Sequence, residues 1–333
     1  MEKVKIVTIG GGSGQFILLS GLREKADFFD ITSIVSMADS GGSSGRLRSE
    51  LGILPPGDIL KCLIALSPNC DVLKSILLKR FKNNMRLKEH NAGNMLLCML
   101  FQYSEDIYQA IETLSELLEI KGKVCPVTTD KATLVAELAN GERVFGESSI
   151  DLSHSGSEII KDVYLVPHHK KNISANPDVL KYIKQADMIV LGPGDLYTSI
   201  LPNLAVPEIC DAIRGSSATL VYVLNLMTKA NETFGFKGYD FIYKIEQYLG
   251  TKINKIIVNS KNPGAEVLMY YKLKQAESVN IDRYDPRLKE RKIYFGDIIN
   301  ESKKSLTHDY KKLANIICSL FNEKKENILQ KTG

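Results

Sequence analysis

The feature that most constrains this chain is its opening. A Val- and Ile-rich run from Lys3 to Ile9 breaks into Gly10-Gly11-Gly12-Ser13-Gly14. A short apolar run bounded by glycines fits a strand buried on both faces of a parallel sheet. Leu18, Leu19 and Leu22 follow at helical spacing within Gln15–Lys25, and Asp30–Met37 is a second β-branched run. Strand, glycine turn, helix and strand make a βαβ unit, whose crossover is right-handed.

The alternation returns in the second half. Pro177–Gln185 reads as a helix and Met188–Leu191 as a buried strand. Val206–Ile213 with Ala218–Leu224, and Tyr239–Tyr248 with Lys255–Val258, repeat the pair. These alternations predict an α/β fold with a doubly wound, mainly parallel sheet, in one large domain over residues 1–333. A helical insertion is expected at 57–120, with loops near 67–71 and 83–94. A small β excursion is expected at 123–150, turning at Asn140-Gly141, and Ile159–Val166 is a further strand candidate. The polar tail, 323–333, is expected to fray.

Composition removes several function classes. The chain has 43 Lys and Arg against 39 Asp and Glu, a net charge of +4, without the basic excess of a nucleic-acid-binding domain. No apolar run approaches the roughly 18 residues that cross a bilayer. The N-terminus enters a strand pattern directly, without a secretory apolar segment. Six cysteines (Cys62, Cys70, Cys98, Cys125, Cys210 and Cys318) form no C-x-x-C, lack zinc-ligand spacing and read as reduced thiols. The expectation is a cytoplasmic protein with neither nucleic acid nor membrane as partner.

Ligands of open α/β sheets bind at the carboxyl ends of strands, near the switch in strand order. Four segments qualify. Gly10, Gly11, Gly12, Ser13 and Gly14 follow the first strand and open a helix, where bare N–H groups and the helix dipole favour a phosphate. The spacing is neither G-x-G-x-x-G nor a P-loop, and a glycine turn without ligand is the alternative. The second is Ala38–Arg48. Asp39 ends strand two, Gly41, Gly42, Ser43 and Ser44 offer N–H and hydroxyl groups, and Arg46 is expected to grip a phosphate. A turn cap for Asp39 and a surface charge for Arg46 are the alternatives.

The third segment pairs Gly57 and Asp58 with His90 and Asn94. Helix capping is the alternative for Asp58 and Asn94, and a structural role for His90. Asp39, Asp58 and His90 are the catalytic candidates. The fourth runs from Gly192 to Leu204, with Gly192, Pro193, Gly194, Asp195, Thr198, Ser199 and Asn203 as a second phosphate-type loop. Asn225, Thr228 and Lys229 follow the next strand and complete the crevice wall.

In this order, Gly10–Gly14, Ala38–Arg48, Pro55–Asp58, His90–Asn94, Gly192–Leu204 and Asn225–Lys229 resemble the 2-phospho-L-lactate transferase-like family, closest to its bacterial gluconeogenesis-factor branch. The resemblance implies a cytoplasmic Rossmann-like protein that binds a nucleotide or nucleotide sugar, with UDP-N-acetylglucosamine as the suggested ligand. It implies a regulator of cell-envelope precursor supply and cell shape during gluconeogenic growth, acting through a protein partner. The archaeal branch implies instead a transferase of a phospho-containing group, for which Mg²⁺ at Asp39 is the expected cofactor; no cofactor is otherwise required. A homo-oligomer is compatible with either. The chain departs from the family pattern at Ser40, where the family has a second acid, and at Ala230-Asn231. It departs again at Thr307 and Tyr310, where the family has an arginine tied to nucleotide-sugar binding and a threonine. A dinucleotide oxidoreductase is the third reading, disfavoured by the missing third glycine.

Overall fold

The computed structural model describes residues 2–82, 87–104, 106–152 and 159–332, by backbone alone from 322 onward. The chain opens with β1 (Val4–Gly10), α1 (Gly12–Arg23) and β2 (Phe29–Val35). Five helices follow: α2 (Gly42–Leu51), α3 (Gly57–Leu66), α4 (Cys70–Leu77), α5 (Ala92–Ser104) and α6 (Ile107–Leu117). Next come β3 (Lys123–Pro126), β4 (Ala132–Leu138), β5 (Arg143–Phe145), α7 (Glu147–Leu152) and β6 (Ile160–Pro167).

The second half begins with α8 (Pro177–Gln185) and β7 (Met188–Leu191). A π-helical turn, Leu196–Ile200, leads into α9 (Leu201–Leu204). Then come α10 (Pro207–Arg214), β8 (Thr219–Val223), α11 (Gly238–Leu249), β9 (Lys255–Asn259) and α12 (Ala265–Lys272). The chain closes with β10 (Lys292–Gly296), the hairpin β11 (Ile299–Ser302) and β12 (Ser305–His308), and α13 (Tyr310–Thr332).

Seven strands form one sheet in the order β10-β9-β8-β7-β1-β2-β3. Every pairing in it is parallel. The order reverses between β1 and β7, and that switch point is where a doubly wound sheet opens a crevice. Alternate strand residues enter opposite cores, as the period-two geometry of a strand requires. Ile9, Ile189, Leu191 and Tyr222 pack towards α8, α10 and α11. Ile6, Met188, Val190 and Val221 pack with residues of α1, α3 and α13 on the other face. The fold is therefore Rossmann-like, as the alternating pattern predicts.

The structure corrects four readings. Asp39–Arg48, read as a polar loop, is helical from Gly42. β3 does not belong to the β excursion; it pairs with β2 at the edge of the main sheet. The excursion is instead a three-stranded antiparallel sheet, β5-β4-β6, that extends to Pro167. The backbone of the tail continues α13 to Thr332, and Gly333 lies outside the described residues. Part of the loop expected at 83–94, residues 83–86, also lies outside them. Within the helical insertion, every residue of α3 except Lys61 is buried. α3 is thus a core helix whose polar side chains, Asp58 and Lys61, form a pair at the crevice.

Candidate functional site

Two glycine turns meet at the switch point. Gly11 caps α1 with extended backbone, and Gly12 takes φ +64°, a left-handed conformation that favours glycine. A Cβ at Gly14 would lie 2.2 Å from the Pro193 carbonyl oxygen. Only a glycine lets the first turn of α1 approach the Gly192–Gly194 turn this closely. Asn203, wholly buried, fastens the arrangement: its Nδ2 donates to Gly10 O at 3.2 Å and to Ser199 O at 2.8 Å. Asn225 Nδ2 donates to Gly194 O at 2.8 Å and its Oδ1 accepts from the Tyr222 hydroxyl. Ser199 Oγ stands 3.6 Å from where a Gly12 Cβ would be.

A cluster of carboxylates and one lysine lies beside these turns. Asp58 Oδ2 is 2.8 Å from the Cβ position of Gly11, and Asp58 Oδ1 accepts from Lys61 Nζ at 2.9 Å. Asp39 Oδ1 accepts from Gly41 N at 2.9 Å, and Asp39 Oδ2 stands 2.9 Å from the Gly57 Cβ position. Gly57 is required there because Ser44 Oγ, which accepts from Gly57 N at 3.1 Å, occupies the same space. Burial first, then the Asp58 charge, holds the Asp39 carboxyl above its ordinary range. Burial pulls the Lys61 ammonium down, but Asp58 and then Asp39 outweigh it and the net shift is upward.

α7 brings a third carboxyl. Ser40 N donates to Glu147 Oε2 at 3.4 Å, and Ser148 N donates to Ser40 Oγ at 3.1 Å. Burial, then the charges of Asp39 and Asp151, pushes Glu147 up to about 7. Ser40, where the family pattern has an acid, thus caps α7, and Glu147 supplies a carboxyl from outside the loop. On the other side, Ser43 Oγ and His90 Nδ1 are 2.9 Å apart, and Asn94 Nδ2 donates to Ser43 Oγ at 3.1 Å. Burial, then Arg46, lowers the His90 pKa, which favours the neutral ring in its contact with Ser43.

Two cavities share Lys61 and Leu78. One of about 300 Å³ is lined by Asp39, Gly42, Ser43, Arg80, Asn94 and Glu147 among others. The other, of about 460 Å³, lies between α1, α4 and the β11–β12 hairpin. Ser13, Phe16, Lys74, Thr307, His308 and Tyr310 contribute to its wall. His308 is buried and its pKa falls to about 4, so it stays neutral beside Leu224 O.

Several predicted site residues are engaged elsewhere. Arg46 donates to Lys88 O at 2.9 Å and lies near Glu50, and it lines neither cavity. Arg80 lines the smaller cavity instead, with Nη1 3.1 Å from the Gly42 Cβ position and 2.6 Å from Glu89 Oε2. Thr228 Oγ1 accepts from Glu277 N, and Thr198 Oγ1 donates to the buried Glu232. Lys229 Nζ contacts Asp151, Asp195 and Glu232, so its charge is already shared among three carboxylates. Burial, then Asp195, raises the Glu232 carboxyl. Lys61, Arg80, Glu147 and Asp151 were not singled out from sequence. Of these only Lys61 carried a local signal, standing three residues after Asp58 on the same helix.

Comparison with known proteins finds relatives along nearly the whole chain. A family model described as 2-phospho-L-lactate transferase CofD matches residues 6–299. The "Gluconeogenesis factor" of Bacillus subtilis is 36% identical over 323 residues, covering 97% of this chain and 99% of the relative. The "Gluconeogenesis factor" of Halalkalibacterium halodurans is 40% identical over 285 residues, covering 85% of this chain and 86% of the relative. A crystal structure of a Bacillus halodurans protein described as a member of the UPF0052 family superposes with a TM-score of 0.88 at 37% identity. It covers 96% of this chain and 100% of its own.

Proposed function

This chain belongs to the 2-phospho-L-lactate transferase CofD family, and from that premise we propose that its crevice binds a nucleotide sugar, with the diphosphate against the rim formed by the Gly10–Gly14 and Gly192–Gly194 turns. UDP-N-acetylglucosamine is the ligand the bacterial branch suggests. In this reading the protein is a gluconeogenesis factor: a cytoplasmic regulator that senses a cell-envelope precursor, acts through a protein partner and links carbon supply to cell shape. One observation carries the binding claim: the helix N-terminus of α1 is held against a second strand-end turn at the sheet's switch point. Unpaired N–H groups at a helix start favour anions. The larger cavity, bordered by Lys61, Lys74 and Thr307, supports room for a sugar beside the diphosphate.

The second reading is a transferase that moves a phospho-containing group from a nucleotide-activated donor. Asp39, Asp58 and Glu147 favour it, because hard carboxylate oxygens suit Mg²⁺. Asp39 and Asp58 would hold the ion, which when bound would neutralise charge on the departing phosphate. Lys61 and Arg80 would orient the phosphates from either side. Thermal-shift screening with UDP-N-acetylglucosamine, GDP and NAD, with and without Mg²⁺, separates the readings. Stabilisation by the UDP-sugar without turnover supports the regulator, and release of a nucleoside monophosphate supports the transferase. Stabilisation by NAD alone contradicts both.

A further inference from the structure

α4, α5 and α6 form an outer layer of helices over α3. α3 packs against all three, and α5 packs against both α4 and α6, so α5 is the middle one. The join is tight: a Cβ at Gly93 of α5 would lie 2.5 Å from Leu60 Cδ2 and 3.1 Å from Leu77 Cβ. α6 buries Ile107, Ala110, Ile111 and Leu114. The outward side of the layer is unusually apolar. α5, from Ala92 to Ser104, has no charged residue. Met99 and Tyr103, one turn apart on it, are 64% and 92% exposed. Val72 and Ile76, one turn apart on α4, are 60% and 59% exposed. Exposed apolar side chains scattered singly need no cause, but pairs on neighbouring helices mark an interaction surface.

The charges beside this strip differ from one flank to the other. On the α6 flank, Asp106, Glu112, Glu116 and Glu119 stand with no Lys or Arg between them. The α4 flank, from Cys70 to Lys82, carries Lys74, Lys79, Arg80 and Lys82 against Asp71 alone. A face that is apolar in the middle, basic on one flank and acidic on the other is complementary to itself. A two-fold axis along α5 lays α4 of each copy over α6 of the other, so unlike charges meet twice and Met99 and Tyr103 lie near the axis. The size fits as well. α5 has 13 residues, a length of about 20 Å. Three such helices at spacings of ~8–10 Å present about 500–600 Å² in projection. Corrugation brings the accessible area near the roughly 800 Å² per partner of a stable interface.

We propose that this face binds a second copy of the chain, forming an isologous dimer in which α4 of each protomer opposes α6 of the other. Sedimentation velocity of the full chain tests it, at concentrations up to about 100 μM. Wild type should sediment as a dimer. Met99→Glu/Tyr103→Glu changes only exposed side chains and sets like charges near the axis. It should weaken the dimer by about tenfold or more, with an unchanged circular-dichroism spectrum to show that the chain is folded. Glu112→Lys/Glu116→Lys should be monomeric, and so should Lys79→Glu/Lys82→Glu. Mixed in equal amounts, these two charge variants should recover the dimer, because each then meets the opposite charge on both flanks. A wild type that stays monomeric overturns the proposal and leaves the face to a different protein. A dimer that survives Met99→Glu/Tyr103→Glu overturns it, because the copies then pair through another face. Charge variants that stay monomeric on mixing also overturn it, because α4 then does not oppose α6.

Discussion

Lys61 Nζ meets Asp58 Oδ1 at 2.9 Å, one helical turn apart on a helix whose other residues are all buried. Lys61 lines both of the cavities that flank it, and its ammonium interacts with the Asp58 and then the Asp39 carboxyl. Lys61→Met should therefore weaken binding of a diphosphate-bearing ligand by tenfold or more, about 1.4 kcal/mol. Calorimetry with UDP-N-acetylglucosamine checks this, and unchanged affinity would remove Lys61 from the site.

Gly14 separates the account from one in which the glycines are incidental. A methyl group at this position meets the Pro193 carbonyl at 2.2 Å, and backbone cannot yield as a flexible side chain does. Gly14→Ala should cost about 1–3 kcal/mol in urea denaturation and part the two turns. A change below about 0.5 kcal/mol would mean that the turns are not pressed together.

Much of this arrangement can be read from local pattern, and the remainder depends on tertiary context. Met188–Leu191 is a run of four apolar residues before a Gly-Pro-Gly turn, and it is a buried strand with a turn at its end. Gly42–Leu51 has the composition of a loop, since Gly and Ser are poor helix formers. It winds into α2 because Ser43 and Ser44 find partners in His90, Asn94 and Gly57 that no local window contains. The same limit hides Glu147 and Asp151. They reach the crevice on a helix that follows β5 of the smaller sheet, more than a hundred residues from Asp39. Lys229, by contrast, lies where its strand predicts, but its neighbours turn it from a ligand contact into a tie between loops.

Glu147 gives a pH signature. Its carboxyl titrates near 7 in the folded protein against an ordinary value of 4.5. The folded state therefore holds the proton more tightly than the unfolded state. Stability is highest below pH 4.5 with respect to this group and falls as pH rises towards 7. Glu147→Gln should be more stabilising at pH 8 than at pH 5, by up to ~3 kcal/mol. Denaturation of both proteins at the two pH values measures the difference. An equal effect at both would show that Glu147 is solvated like a surface glutamate.

Arg46 and Arg80 make opposite predictions. Arg46 is turned to Lys88 O, so Arg46→Ala should change UDP-N-acetylglucosamine affinity by less than about twofold. Arg80 stands over Gly42 in the cavity, so Arg80→Ala should weaken it by about tenfold or more, in line with the ~1.5–3 kcal/mol of a charge-assisted hydrogen bond. Reversal of the two results would place the phosphate on the outer face of α2.

The most direct measurement is a crystal structure of the protein grown with UDP-N-acetylglucosamine. The expected result is the diphosphate lying against the joined Gly11–Gly14 and Gly192–Gly194 turns, within hydrogen-bond distance of the backbone N–H groups at the start of α1. Density for the ligand at any other place, with no contact to the N–H groups of those two turns, would contradict the account.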